Sequence, residues 1–354
     1  MKNKVNITAH SLSPQGDELI TVLATFPRII LAEINTHRML SKNTSSSRAI
    51  PFKKMVESVQ NNPFIPIAWQ KEHTGMQGYE YITDKEQLEA LEKIWLYSRD
   101  EAVRSAKAIS SGTFELDLGI KYNYGFKATK QLANRLLEPF MWTTMLITGS
   151  REGWNNFFNL RCPQYKIHQG TYKSKKEALE YGLSNGELKN WSDLDWLQNN
   201  EGHAEIHIMD LAEKIYDAVN ESTPKQLKAG EWHIPFEDEI RKLDIPESVK
   251  SEYYKNGIEP HSAVKDILIK VSTAMSAHTS YTVVGNEPIK SIEKWIELHD
   301  KLIGYDPPHS SPMEHCCLCV TEEEYNSSFK GQEKGWFRNY KSFKSYRQII
   351  EESL

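Results

Sequence analysis

Residues 36–48 read THRMLSKNTSSSR. His37 and Arg38 open the run, Arg48 closes it, and small hydroxyl and amide side chains fill the space between. Hydroxyls and backbone amides donate hydrogen bonds without carrying a charge, and guanidinium groups fork onto phosphate oxygens. The combination suits an anionic, phosphate-bearing ligand. Ser46 and Arg48 are two apart, so in extended backbone they face the same way. A solvated Ser/Asn loop capping a helix has the same composition, and spacing alone leaves both readings open.

Other groups with chemical potential are scattered along the chain. Arg135 and Arg161 bracket NRLLEPFMWTTMLITGSREGWNNFFNLR; each alone reads more readily as a helix-end ion-pair former than as a ligand-binding arginine. His203 and His207 are four apart on a helix with Glu205 and Asp210 nearby, a spacing that can hold a metal. The glutamate is the third residue of the run, however, so the HExxH arrangement is absent and no metal is expected. His315, Cys317 and Cys319 alternate along a strand without a clear fourth ligand. GWFRNYKSFKSYRQ mixes aromatic with basic residues, as single-strand nucleic-acid binders do. Phe343, Tyr346 and Ile350 in it also fit a plain amphipathic helix.

These groups need elements to hold them. ELITVLATF (18–26) is rich in β-branched residues and predicts a strand. Pro27 suits the first turn of a helix over 28–40, with Ile30, Ile34 and His37 on one face. Helices are expected at 85–110, 127–147 and 151–161, then at 203–219, where Ile208, Leu211, Ile215 and Val219 form a stripe. Two more follow at 263–279 and 290–303, and a strand at 314–321. The mixture is α+β. One domain over 1–354 is expected, with 162–202 and 220–262 as peripheral insertions and 322–354 as a C-terminal extension.

The bulk numbers narrow the class. The chain has 354 residues, 39% hydrophobic and 26% charged, with net charge -5, and its pI is near 6.2. That argues against a general nucleic-acid or membrane binder, though not against a local basic pocket. The N-terminus has no apolar secretory core and FMWTTMLITG is too short to span a bilayer, so a cytoplasmic protein is expected. Four cysteines, three of them in CCLC, make no disulfide framework.

The serine-rich stretch resembles the signature of the flavin-dependent thymidylate synthases (the ThyX family), Arg-His-Arg-x-x-Ser-x-Asn-x-x-Ser-x-Arg-Tyr. His37, Arg38, Ser41, Asn43, Ser46 and Arg48 stand in register; Thr36 replaces the first arginine and Ala49 the final tyrosine. The Arg135–Arg161 block is similar to the family's central helices, and GHAEIHIMDLAEKIYDAV to its His-Ala-Gln-x-Glu-Ile helix. In the latter Glu205 stands in place of glutamine and His207 in place of glutamate. AHTSY, the helix SIEKWIELHDKL and HSSPMEH match blocks that the family carries before its signature. Here they follow it, so the chain resembles a circular permutant of the family core. Permutation is tolerated where the original termini lie close together at the surface.

The resemblance implies a ThyX-like core of helices packed on a mixed or antiparallel sheet. It implies methylation of dUMP to dTMP, with FAD as cofactor and methylenetetrahydrofolate and NADPH as co-substrates, in a homotetramer whose sites draw on several subunits. It gives Arg161 the catalytic role at the pyrimidine. Glu33, Ser46, Ser47, Arg48 and Arg135 join Arg161 in holding the nucleotide. His37, Arg38, Asn43, Asn156, His203, Ser280, His309, Ser311 and Glu314 fall to FAD. Glu33 occupies a place where the family usually has glutamine, and a carboxylate presents a different hydrogen-bond code from an amide. Hydroxymethylation of dUMP or dCMP is therefore an alternative, as is a non-catalytic nucleotide- or RNA-binding protein that has kept the fold.

Overall fold

Strand Glu18–Pro27 forms where the β-branched run predicts it. It is the middle of a five-stranded sheet ordered Ser41–Thr44, Trp142–Ser150, Glu18–Pro27, Lys4–Leu12 and Lys225–Gln226. Neighbours are antiparallel except the last pair, in which Ser11 and Leu12 run parallel to Lys225 and Gln226. The computed structural model describes the whole chain except residues 1, 76–77, 116–118, 169, 182–187, 282–290, 328–332 and 354. Its mixed sheet and packed helices match the α+β architecture expected from the sequence.

Trp142–Ser150 corrects one expectation. A helix over 127–147 was predicted, but only Lys130–Ala133 and the 3-10 turn Asn134–Phe140 are helical before the chain enters the sheet. The strand is covered on both faces, so its sequence is a continuous apolar and β-branched run without alternation. Periodicity cannot distinguish such a run from a buried helix.

Register fixes what each face of this sheet carries. Pairing of Leu23 with Leu146 and Thr21 with Thr148 puts these residues on one side, together with Ser41 and Asn43. Ile20, Val22, Ala24, Phe26, Met145 and Ile147 occupy the other side. The second set packs on helices Arg151–Arg161 and Ile206–Glu221, with Trp154 stacked on Phe158 in that core. Leu23 and Leu146 instead meet helices Pro260–His278 and Ile292–Ile303. The expected start of the last helix at residue 290 lies outside the described residues.

Other elements follow local chemistry. Helix Lys85–Ser111 begins where the Asp84 side chain accepts from the Gln87 amide. It ends at Gly112, whose φ is 73° and where a Cβ would stand 1.8 Å from the Phe126 carbonyl oxygen. Only glycine fits there. The predicted 28–40 helix is shorter than expected: a 3-10 turn Arg28–Ile30 leads into Leu31–Asn35. The Thr36 hydroxyl donates to the Glu33 carbonyl at 2.6 Å, and the chain then unwinds toward Ser41. Ile30, Ile34 and His37 are nevertheless all buried.

Residues 162–202 carry a hairpin, Tyr165–Ile167 with Gly170–Tyr172, and a small core of Tyr165, Ile167, Ala178, Leu188 and Trp196. A second sheet joins Trp232–His233, Cys317–Cys319 and Phe343–Ser345. The expected 314–321 strand is thus confined to three residues, after a 3-10 turn Ser311–Glu314. Phe343 lies in that sheet, fully buried, and helix Tyr346–Ser353 starts after it. Among the described residues no helix is long and apolar enough to cross a membrane.

Candidate functional site

The Leu31–Asn35 helix is tied down by Lys42, whose ammonium donates to the carbonyls of Ile34 (3.3 Å), Asn35 (3.4 Å) and His37. Cations satisfy exposed C-terminal carbonyls in this way. Burial lowers the Lys42 ammonium to a pKa of about 8. The anchor fixes the backbone of His37, whose ring sits edge-on to Phe157 with centroids 4.9 Å apart.

Arg161, at the end of the Arg151–Arg161 helix, donates from Nε to His37 Nε2 at 3.0 Å. The imidazole accepts this bond only when neutral, with its proton on Nδ1. Burial, then the charges of Arg161 and Lys42, depress the His37 pKa to about 4. Arg161 Nη1 lies 3.4 Å from Glu33 Oε2 and Nη2 lies 3.5 Å from the Thr36 hydroxyl. Burial raises the Glu33 pKa, the nearby Glu205 charge raises it further, and Arg161 opposes both.

A cleft of about 300 Å³ opens beside this group, lined by Glu33, Arg161, Tyr79, Tyr81, His203 and Glu205. Glu205 is fixed in its wall as an N-cap, accepting from the amides of His207 (2.8 Å) and Ile208 (3.2 Å). Its other oxygen bonds His207 Nδ1, and His207 Nε2 accepts from the Ile67 amide at 3.1 Å. The His203–His207 pair therefore splits, with His203 at the cleft and His207 spent on the backbone. Among the described residues no three His, Cys, Asp or Glu side chains are grouped to hold a metal ion.

A second group gathers beyond the C-terminal end of the Ser41–Thr44 strand. Ser47, almost fully buried, donates to Glu138 at 2.6 Å, and Arg135 reaches the same carboxylate at 3.5 Å from the surface. Arg28 completes it, pairing with Glu138 at 3.1 Å and donating to the Ser45 carbonyl at 3.0 Å. Ser46 is half-buried and Arg48 exposed. His37 precedes the other end of that four-residue strand, which spans about 13 Å at the usual rise. Sequence reasoning missed Arg28, whose only signal was its place directly after Pro27.

A third group occupies the opposite face of the sheet. Asn43 Nδ2 donates to the Ser276 carbonyl, and its Oδ1 accepts from the Ser280 hydroxyl at 2.9 Å. The Ser280 carbonyl accepts from the Ser46 amide at 2.9 Å. The serine-rich stretch and the AHTSY block, far apart in sequence, are thus in direct contact. Glu314 is paired with Arg347, and its carbonyl accepts from the Tyr340 hydroxyl at 2.7 Å. Ser311 lies half-buried in the turn leading to Glu314. Arg38, Asn156 and His309 are exposed, away from these bonds.

The residues singled out from the sequence therefore form three groups rather than one: Glu33, His37, Arg161 and His203; Ser46, Ser47, Arg48 and Arg135; Asn43, Ser280, Ser311 and Glu314. Strand alternation separates the first from the third, because Lys42 and Asn43 must point to opposite faces.

No protein-family model matches the chain, and no curated protein does. Among solved structures, the chain is similar to a UMP/dUMP methylase, PolB from Streptomyces cacaoi, bound with 5-Br UMP. That match has 14% identity and a TM-score of 0.39 over 62% of this chain and 88% of that one. The same enzyme bound with 5-Br dUMP matches at 12% identity and TM-score 0.39, over 62% and 90%. A likeness this loose says nothing of what the present chain binds.

Proposed function

We propose that the Glu33–Arg161 cleft binds a pyrimidine nucleoside monophosphate and that the protein adds a one-carbon unit to C5 of its base, converting dUMP to dTMP. The observation that carries this reading is the Arg161–His37 pair. Two residues of the ThyX-like motifs, from different blocks of the sequence, meet there, and one of them, Arg161, lines the cleft with buried His37 behind it. The cleft volume suits a mononucleotide, at the lower end of small-molecule sites.

The chain's own contribution is electrostatic positioning. With its Nε bound to neutral His37 and its two Nη atoms reaching Glu33 and the Thr36 hydroxyl, the Arg161 guanidinium is held in one orientation, and the second N–H of each Nη is left for a pyrimidine carbonyl. A fixed, always-charged donor beside a polarising carbonyl draws electron density from the ring without reorganising during reaction. Glu33, with its raised pKa, sets the hydrogen-bond code next to it.

FAD does not fit the residues of one chain as they stand. Asn43 has both amide groups bonded within the protein, Glu314 is taken by Arg347, and both lie across the sheet from His37. When bound, a flavin would supply the reducing chemistry, with methylenetetrahydrofolate and NADPH as the reagents the resemblance implies. A homo-oligomer could bring the Asn43 face of one copy to the Arg161 face of another.

Incubation with dUMP tritiated at C5, methylenetetrahydrofolate, FAD and NADPH tests the reading. Tritium release with dTMP supports it, and release with another product favours hydroxymethylation. A colourless protein that binds dUMP without release is a nucleotide-binding protein instead. Failure to bind dUMP or dCMP removes the reading altogether.

A further inference from the structure

The aromatic and basic segment that the sequence offers for nucleic acid is spent internally: Phe337, Tyr340 and Phe343 are buried. A different aromatic run is not. Tyr122, Tyr124 and Phe126 are 42%, 62% and 50% exposed. Their rings form a ladder, with centroids 6.1 and 5.9 Å apart and planes within 17° and 18° of parallel.

The ladder is built on fixed backbone. Thr113–Glu115 pairs antiparallel with Lys121–Asn123, and Tyr124 and Phe126 follow that strand on either side of Gly125, whose φ is 71°. The Tyr124 amide donates to the Gly112 carbonyl at 3.0 Å, and the Ala128 amide to the Ile109 carbonyl at 3.1 Å. Both bonds pin the backbone of the run to the end of the Lys85–Ser111 helix.

Within the run itself, charge has one sign, although Glu115 stands on the facing strand. The stretch IKYNYGFKATKQLANR, residues 120–135, contains Lys121, Lys127, Lys130 and Arg135 and no acidic residue, in a chain whose net charge is -5. Lys121 is paired with Glu115 at 3.3 Å, and Arg135 reaches Glu138. Lys130 donates to the Ala49 carbonyl at 3.2 Å, which brings exposed Arg48 into the neighbourhood.

We infer that Tyr122, Tyr124 and Phe126, with Lys127 and Lys130, form a platform for single-stranded nucleic acid. Every base has a face that stacks on an aromatic ring, and the lysines track the phosphates. A duplex hides its base faces and gains nothing from the rings. The platform lies outside the Glu33–Arg161 cleft, so it stands whether or not that cleft binds nucleotide.

Fluorescence anisotropy of a labelled oligo(dT) strand against the full chain tests this. Binding is expected to exceed that of a duplex of equal length, to weaken with salt, and to persist in excess dUMP. The combined variant Tyr122→Ala, Tyr124→Ala, Phe126→Ala should lose at least about tenfold in affinity while melting like the parent, because the rings are exposed. Lys127→Gln should flatten the salt dependence. Equal affinity for the duplex, or unchanged oligo(dT) binding by the ring variant, overturns the inference. If the ring variant lowers the sedimenting mass but leaves oligo(dT) binding alone, the ladder is a self-association surface and the inference also fails.

Discussion

Arg161 Nε lies 3.0 Å from His37 Nε2, joining the end of one helix to the turn after another across 124 positions of sequence. The bond requires a neutral imidazole. It orients a guanidinium at the rim of the cleft and, with the His37–Phe157 ring contact, ties the two motifs together.

This pairing has a titration signature. His37 is held at about 4 by burial first and then by the charges of Arg161 and Lys42. Arg161→Ala should move it upward, toward but not to the ordinary value of 6.5, as read by NMR titration of the ring protons. The depressed pKa contributes stability that is present above 6.5 and lost as pH falls through about 4. The parent should therefore weaken over that window, and a His37→Gln variant should weaken less.

Asn43 spends both ends of its amide inside the protein. Asn43→Ala leaves the Ser276 carbonyl and the Ser280 hydroxyl without it in a buried site, at a cost of about 2 kcal/mol. Urea denaturation should show a lower midpoint at unchanged slope. A variant as stable as the parent would mean the amide is free for a ligand.

Glu213 belongs to a larger cavity, about 690 Å³, that shares Asn200 and Met209 with the cleft. Burial raises its pKa from 4.5 to about 7, although the Lys175 amide and charge and the Tyr165 hydroxyl favour the anion. Nearby Asp210 pushes the same way as burial. A raised pKa means stability that is complete below 4.5 and lost as pH rises through 7, by roughly 3 kcal/mol at most. Glu213→Gln should thus gain melting temperature relative to the parent as pH goes from 5 to 8. A constant difference would contradict the assignment.

A buried chain of bonds runs His233–Thr21–Thr148–His315, at 2.7, 2.7 and 2.8 Å. His315 Nε2 already lacks a partner, so Thr148→Val would leave that ring with no hydrogen bond among the described residues. Loss of about 1–3 kcal/mol is expected by chemical denaturation. The ring's proton resonances should shift with it.

Much of the framework was legible beforehand. The Ile206–Glu221 stripe follows from apolar spacing at helical period, and Glu18–Pro27 from its β-branched run. The serine-rich stretch announced itself by residue type. These are local properties, set by propensity and by which residues fall on one side of a helix or strand.

Tertiary structure decided the rest. Trp142–Ser150 lies in the sheet with both faces covered, one by the helix that follows it and Ile206–Glu221, the other by helices from more than a hundred residues on, which erases the alternation that would have betrayed a strand. The same sheet divided the serine-rich stretch. Lys42 and Asn43 are adjacent in sequence, yet the pleat sends one toward His37 and Arg161 and the other toward Ser276 and Ser280. Residue types gave the sequence its chemical vocabulary, but which groups share a pocket depends on what packs against each side of a strand, and no local pattern encodes that.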